Sequence, residues 1–277
     1  MANVLVMANE TIGGRALLEA VRERAAAGDA RFFLVVPQNR PRHGAVIYDE
    51  AVRDAAQVRV ELARQVMAHE GIDVVGDVGD PDPFAAAMDA IGQYSADEVI
   101  LSTHPASRSG WLRRDLVDRV ADASGLPVQH VVTDIQSEGL TFRVTLVVAN
   151  QTAESEQLIA RLTEKAQESE DPDLFVVVMP QSSGAGEAAG EARRHLRHTL
   201  ESLRSAGLLC SGMIGDPDPY TAAMNALQSF HVDDVVVSTF PPARSAWLRG
   251  DLLDRLRDSA TVPIEHVMAD DRAEVTS

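Results

Sequence analysis

The chain has 277 residues, 45% of them hydrophobic and 24% charged, which is room for two ordinary domains, each with its own buried core. A net charge of −17 repels a nucleic-acid backbone and an anionic membrane surface, and no block of like basic residues offsets that field. A single cysteine, Cys210, excludes an intramolecular disulfide and, inside Leu208-Leu209-Cys210, reads as a small buried hydrophobe.

The elements alternate from the start. Val4–Ala8 is a short apolar run and reads as a strand. Arg15–Ala27 places Leu17, Leu18, Val21 and Ala25 at helical spacing and stops at Gly28. Phe32–Val36 reads as the second strand, Glu50–His69 as a long amphipathic helix and Ile72–Val75 as the third strand. Pro83–Ile91 is a helix with Asp82 as N-cap and proline at its first position. Val99–Ser102 is the fourth strand, Trp111–Ala123 the last helix and Val128–Val132 the fifth strand. Five strands with helices between them predict a parallel sheet covered on both faces. The N-terminus lacks the basic start and apolar stretch of a signal peptide, and no apolar run approaches the ~20 residues of a membrane span, so a cytoplasmic protein with no membrane contact is expected.

The same pattern then occurs again. Residues 79–133 align without a gap on residues 215–269, and 27 of the 55 pairs are identical. The shared strings are G-D-P-D-P, at Gly79–Pro83 and Gly215–Pro219, and S-T-x-P-x-x-R-S-x-W-L-R-x-D-L-x-D-R, at Ser102–Arg119 and Ser238–Arg255. Both copies close on Pro-apolar-x-His-Val, ending at Val131 and Val267. The front halves match more loosely: Leu5–Thr11 corresponds to Leu146–Thr152, and Phe33–Gln38 to Val176–Gln181. The expected domains are 1–138 and 139–277, joined at the short polar stretch Gln136-Ser137-Glu138-Gly139.

The strand-helix order, the Gly-Asp-Pro turn before the third helix, the apolar strand Asp97-Glu98-Val99-Ile100-Leu101 and the closing Pro-Val strand give each half a resemblance to the universal stress protein family. The resemblance implies an α/β fold of two tandem flavodoxin-like domains, each a five-stranded parallel sheet. It also implies ATP or AMP as ligand, and pairing of the last strands, Val128–Val132 with Ile264–Met268, inside one chain or in a homodimer. The family's nucleotide motif, G-x2-G-x9-G-(S/T), is replaced in both copies. Ser102 and Ser238 stand at the first glycine, and Pro105 and Pro241 at the second. Asp115-Leu116 and Asp251-Leu252 stand at the final pair. Proline has no N–H to donate and aspartate repels phosphate.

Both copies carry the same replacement, so one role is kept twice. Ser102, Thr103, Arg108 and Ser109 lie between the fourth strand and the last helix, with Asn9 and Thr11 bordering the same crevice. The second copy offers Asn150, Thr152, Ser238, Thr239, Arg244 and Ser245. Hydroxyls, amides and an arginine at a carboxyl sheet edge suit a small anionic ligand, a nucleotide held in an altered way among them. Ser109 and Ser245 also read as helix caps. Asp115 with Arg119, and Asp251 with Arg255, read as surface ion pairs four residues apart. Trp111 and Trp247 are expected to pack on the neighbouring loop. G-D-P-D-P reads as a turn and cap, His195 and His198 as a solvated helix face, and His130 and His266 as structural. There is no P-loop, nucleophile elbow, H-E-x-x-H or metal signature. A ligand-sensing or interaction module is therefore expected rather than an enzyme. A scaffold without ligand is the alternative reading, and a nucleotide hydrolase using the same crevice is the third.

Overall fold

The computed structural model describes residues 1–38, 49–105, 115–181 and 186–270. The chain divides into two compact units, Met1–Thr141 and Phe142–Ser277. In the first, β1 (Ala2–Met7), α1 (Arg15–Ala26), β2 (Ala30–Pro37), α2 (Asp49–His69), β3 (Val74–Gly79), α3 (Pro83–Tyr94), β4 (Glu98–Thr103), α4 (Leu116–Ser124) and β5 (Val128–Val132) are followed by the single turn α5 (Ile135–Glu138). The second contains β6 (Arg143–Val148), α6 (Glu156–Glu168), β7 (Asp173–Pro180), α7 (Gly186–Ser205), β8 (Leu209–Gly215), α8 (Pro219–Ser229) and β9 (Asp234–Thr239). It ends with α9 (Ala246–Arg249), α10 (Leu252–Ser259) and β10 (Ile264–Met268).

All strand pairs are parallel, in the orders β3-β2-β1-β4-β5 and β8-β7-β6-β9-β10. This is the doubly wound α/β class expected from the sequence. The strand order, 3-2-1-4-5, is that of the six-stranded doubly wound sheet 3-2-1-4-5-6 without its last strand, where flavodoxin itself has 2-1-3-4-5. Chain direction around the sheet reverses between β1 and β4, and between β6 and β9. A crevice opens outside the carboxyl ends of strands at such a reversal.

The central strands are apolar because helices cover both faces. Val4, Leu5, Val6 and Met7 are fully buried, and every residue of β7 is buried. Each such Val or Leu contributes about 1.5–3 kcal/mol relative to exposure. Cys210 belongs to this second core, beside Phe175 and Leu203. The third strand runs past the expected Val75 to Gly79, because its glycines let helices approach. A Cβ on Gly79 would lie 2.7 Å from the Ala86 Cβ, and one on Gly215 would lie 2.6 Å from the Ala222 Cβ.

The G-D-P-D-P strings are turns and caps in both units. Asp80 accepts from the Asp82 N–H at 2.7 Å and Asp216 from the Asp218 N–H at 2.8 Å. Asp82 and Asp218 then cap α3 and α8. The glycine pair at 13–14 is also structural: Gly14 pairs with Leu140, and a Cβ on it would collide with the Thr133 methyl at 2.0 Å.

Two sequence expectations are corrected. The last helix of the second unit is two helices, α9 and α10, broken at Asp251, which adopts a left-handed conformation with φ 53°. Asp115 does the same before α4, with φ 48°. The paired Asp-Arg ion bridges are not formed either. Arg119 lies over the Phe84 ring at 4.2 Å and Arg255 over the Tyr220 ring at 4.0 Å. The aspartates precede their helices and instead offer backbone carbonyls to Arg119 and Arg255 at 3.0 Å.

Candidate functional site

The second unit has a cleft of about 230 Å³ at the carboxyl ends of β6 and β9, where the strand order reverses. Asn150, Gln151 and Thr152 line it from the loop after β6. Ser238 and Thr239 line it from the end of β9, and Phe240, Arg244, Ser245, Ala246 and Trp247 from the segment leading into α9. The structure thus brings together all six residues singled out in the second copy. Sequence reasoning had not placed Gln151, Phe240 or Ala246 there.

Each of the six has a defined environment. Asn150 donates to the Pro180 carbonyl at 2.9 Å, which ties the β6 loop to the end of β7. Thr152 is buried and donates to the Ser238 carbonyl at 3.0 Å, closing the gap between the two strand ends. Thr239 contacts the Phe240 carbonyl at 2.9 Å and His266 Nε2 at 2.8 Å. Burial, with a smaller contribution from Arg257, lowers the His266 pKa, so the ring is neutral at pH 7. Ser245 caps α9, accepting from the Leu248 N–H at 3.2 Å. Pro241 turns the chain by accepting the Arg244 and Ser245 N–H groups at 2.9 and 3.0 Å. Arg244 is exposed and stacks its guanidinium on Phe240 at 4.5 Å. Trp247 is half-buried at the cleft wall.

Ser238 differs from the others. Its side chain is 1% exposed, yet its hydroxyl has no hydrogen-bond partner among the described residues. Buried hydroxyls in native proteins are nearly always bonded, because desolvation without a partner costs about 1–3 kcal/mol.

In the first unit Asn9, Thr11, Ser102 and Thr103 occupy the matching strand ends and are all buried. Arg108, Ser109 and Trp111 lie outside the described residues. Ser102 here has a partner, the Thr133 hydroxyl at 3.0 Å. Thr103 repeats the arrangement of Thr239, contacting the His104 carbonyl at 3.0 Å and His130 Nε2 at 2.9 Å. His130 and His266 are therefore structural ties from the fifth strand of each unit to the fourth. The Thr11 hydroxyl is buried without a hydrogen-bond partner among the described residues. Where the second unit has Gln151 and Phe240, the first has Glu10 and His104, 3.4 Å apart.

No protein-family model and no curated protein matches the sequence. Among solved structures, a universal stress protein from Archaeoglobus fulgidus DSM 4304 aligns over 98% of this chain and 97% of its own, at 13% identity and a TM-score of 0.37. A universal stress protein in complex with cAMP aligns over 48% of this chain and 98% of its own, at 17% identity and TM-score 0.36. A third, from Archaeoglobus fulgidus in complex with dAMP, aligns over 46% and 97%, at 16% identity and TM-score 0.34. The chain is similar to universal stress proteins, and its two parallel five-stranded sheets fit a tandem two-domain form. The fold itself is defined by the strand pairing described above. No helix among the described residues is long and apolar enough to cross a membrane.

Proposed function

We propose that the second unit is a binding module for a small anion, a phosphate- or carboxylate-bearing molecule taken into the cleft between β6 and β9. The observation that carries this reading is the buried Ser238 hydroxyl, unpartnered at the wall of a cleft that Arg244 also lines. A ligand oxygen would satisfy the hydroxyl, and the guanidinium would supply a charge-assisted contact in a chain that is otherwise strongly negative. The cleft's 230 Å³ is below the usual range for drug-sized ligands, so it suits a monophosphate or a small carboxylate better than a nucleoside triphosphate. The one lining hydroxyl beside an imidazole, Thr239 with His266, is a strand tie that Thr103 and His130 repeat in the first unit, so the reading is a site that senses or carries a ligand.

Calorimetry on the full chain tests the reading, with inorganic phosphate, AMP, cAMP, dAMP and ATP as probes. Binding of at least one monophosphate is expected. Arg244→Ala should weaken that binding by at least about tenfold while leaving the melting temperature unchanged, since charged hydrogen bonds contribute about 1.5–3 kcal/mol. Absence of heat for every probe at millimolar concentration would overturn it and favour a scaffold.

A further inference from the structure

The loop that brings Asn150, Gln151 and Thr152 to the cleft is two successive tight turns, with the Ala153 N–H on the Asn150 carbonyl at 3.0 Å and the Ser155 N–H on the Thr152 carbonyl at 3.1 Å. Glu154 sits within the second turn and reaches across to α7. Its carboxylate lies 3.0 Å from His198 Nδ1 and 3.6 Å from His195 Nε2, and accepts from the Thr199 hydroxyl at 3.1 Å. The two histidines lie on a solvated face, His198 largely exposed, and share Glu154 as a partner there.

We propose that Glu154, His195 and His198 form a proton-dependent latch that holds the β6–α6 loop, and with it one wall of the cleft, against α7. The comparison between units supports this assignment. The Ile72 N–H on the Met67 carbonyl and the Leu208 N–H on the Leu203 carbonyl are the same junction at an offset of 136, and that register sets His195 at the place of Arg59. Arg59 is buried, and burial lowers its pKa while the Glu10 carboxylate, on the matching β1–α1 loop, acts in the opposite direction. The first unit therefore faces its loop with a cation that never titrates in the physiological range. The second unit places imidazoles at this contact, and the ring that Glu154 meets at 3.0 Å is His198.

The charged groups at this contact are Glu154 from the loop, and His195, His198 and Glu201 from α7. The hydrogen bond from His198 to Glu154 raises the histidine pKa, Glu154's charge adds to this, and Glu201 contributes a smaller share. A raised histidine pKa means the contribution is complete below the ordinary value of about 6.5 and is lost as pH rises through the folded-state value. The loop is held firmly in mild acid and loosens toward alkaline pH. The effect of the latch on a ligand rests on the anion-binding reading, but the latch itself does not.

Amide hydrogen exchange of residues 149–155 in the full chain, corrected for intrinsic exchange, reads the latch without any ligand. Protection is expected to fall about three- to fivefold between about pH 5.5 and about pH 8.5, the scale of an exposed ion pair. Glu154→Gln should hold protection at the lower level throughout, and His195→Arg with His198→Arg at the upper level throughout. NMR titration of the His198 ring should show a pKa above the ordinary value that returns toward it in Glu154→Gln. Wild-type protection that does not vary with pH, or a variation that persists in Glu154→Gln, would overturn the latch. A pH-dependent loop in a protein that binds no anion would retain the latch and remove only the ligand reading.

Discussion

The two units share a backbone plan and differ in how they complete it at each end of the sheet. At the carboxyl edge, Ser102 is satisfied by Thr133, while the second copy has Ala269 at the aligned position and Ser238 is left without a protein partner among the described residues. At the amino edge the difference is reversed. The first pairing of β1 with β2 joins two alanines, Ala2 and Ala30, whereas that of β6 with β7 joins Arg143 and Asp173. Asp173 sits there with Thr145, Asp234 and the nearly buried Lys165. One duplicated fold thus carries a half-buried Arg24–Glu98 pair at the amino edge of one copy and the more deeply buried Asp173, Lys165 and Asp234 at that of the other, and the unpartnered hydroxyl at the carboxyl edge is Thr11 in the first and Ser238 in the second, among the described residues. Identical strand order does not fix how the strand ends are completed; the side chains there differ between the copies.

The sharpest way to break this contrast is to exchange its key residue. Thr133→Ala should destabilise the first unit by about 1–3 kcal/mol, because it orphans Ser102 and empties the contact made with Gly14. The reciprocal Ala269→Thr should stabilise the second unit by about 1 kcal/mol by giving Ser238 a partner. Denaturant titration of the full-length variants measures both. No gain from Ala269→Thr would mean that the two serines are not in equivalent need.

A smaller effect is expected at the opposite edge. Burial raises the Asp173 pKa, and the Thr145 hydrogen bond only partly opposes this. For a carboxylate raised above its unfolded value, the favourable contribution is complete in acid and is lost as pH rises through the folded value. Asp173→Asn removes that loss and keeps an oxygen for Thr145. The variant should therefore gain on the native protein between about pH 3 and about pH 7, by a few degrees in melting temperature. A constant difference across that range would place the cost elsewhere in the network.

The smallest effect concerns a feature both units share. Asp251→Gly should add about 0.5 kcal/mol, since glycine adopts the left-handed conformation without the Cβ penalty. A loss of stability on denaturation would instead show that the aspartate side chain supports the break between α9 and α10.

Most of the fold was legible because it rests on local pattern. Apolar runs bounded by Gly, Pro and Asp marked the strands, and the duplication repeated the pattern in a second context. The failures have two causes, one missed local breaker and contacts between distant residues. The helix expected over Trp111–Ala123 keeps its amphipathic spacing in the second copy across Asp251, and the signal missed there is Gly250, which caps α9 where the first copy has Arg114. Arg119 and Arg255 have aspartates four residues away, but rings thirty-five residues distant, Phe84 and Tyr220, hold them. The cleft residues were legible because they cluster at two strand ends. The link from Glu154 to His195 and His198 was not, since it joins a loop to a helix more than forty residues on.

The central position of β1 and β6 also has a consequence in time. Val4 pairs with Glu98, and Thr145 with Asp234, so each central strand meets its fourth-strand neighbour only after roughly ninety further residues are made. At about 5 to 20 residues per second, the apolar face of each first strand stays open on that side for roughly 5 to 20 s during synthesis. The nascent chain therefore passes twice through a stage with an unpaired, strongly hydrophobic edge, and each passage is a moment when a chaperone, or a second nascent copy, competes for that strand.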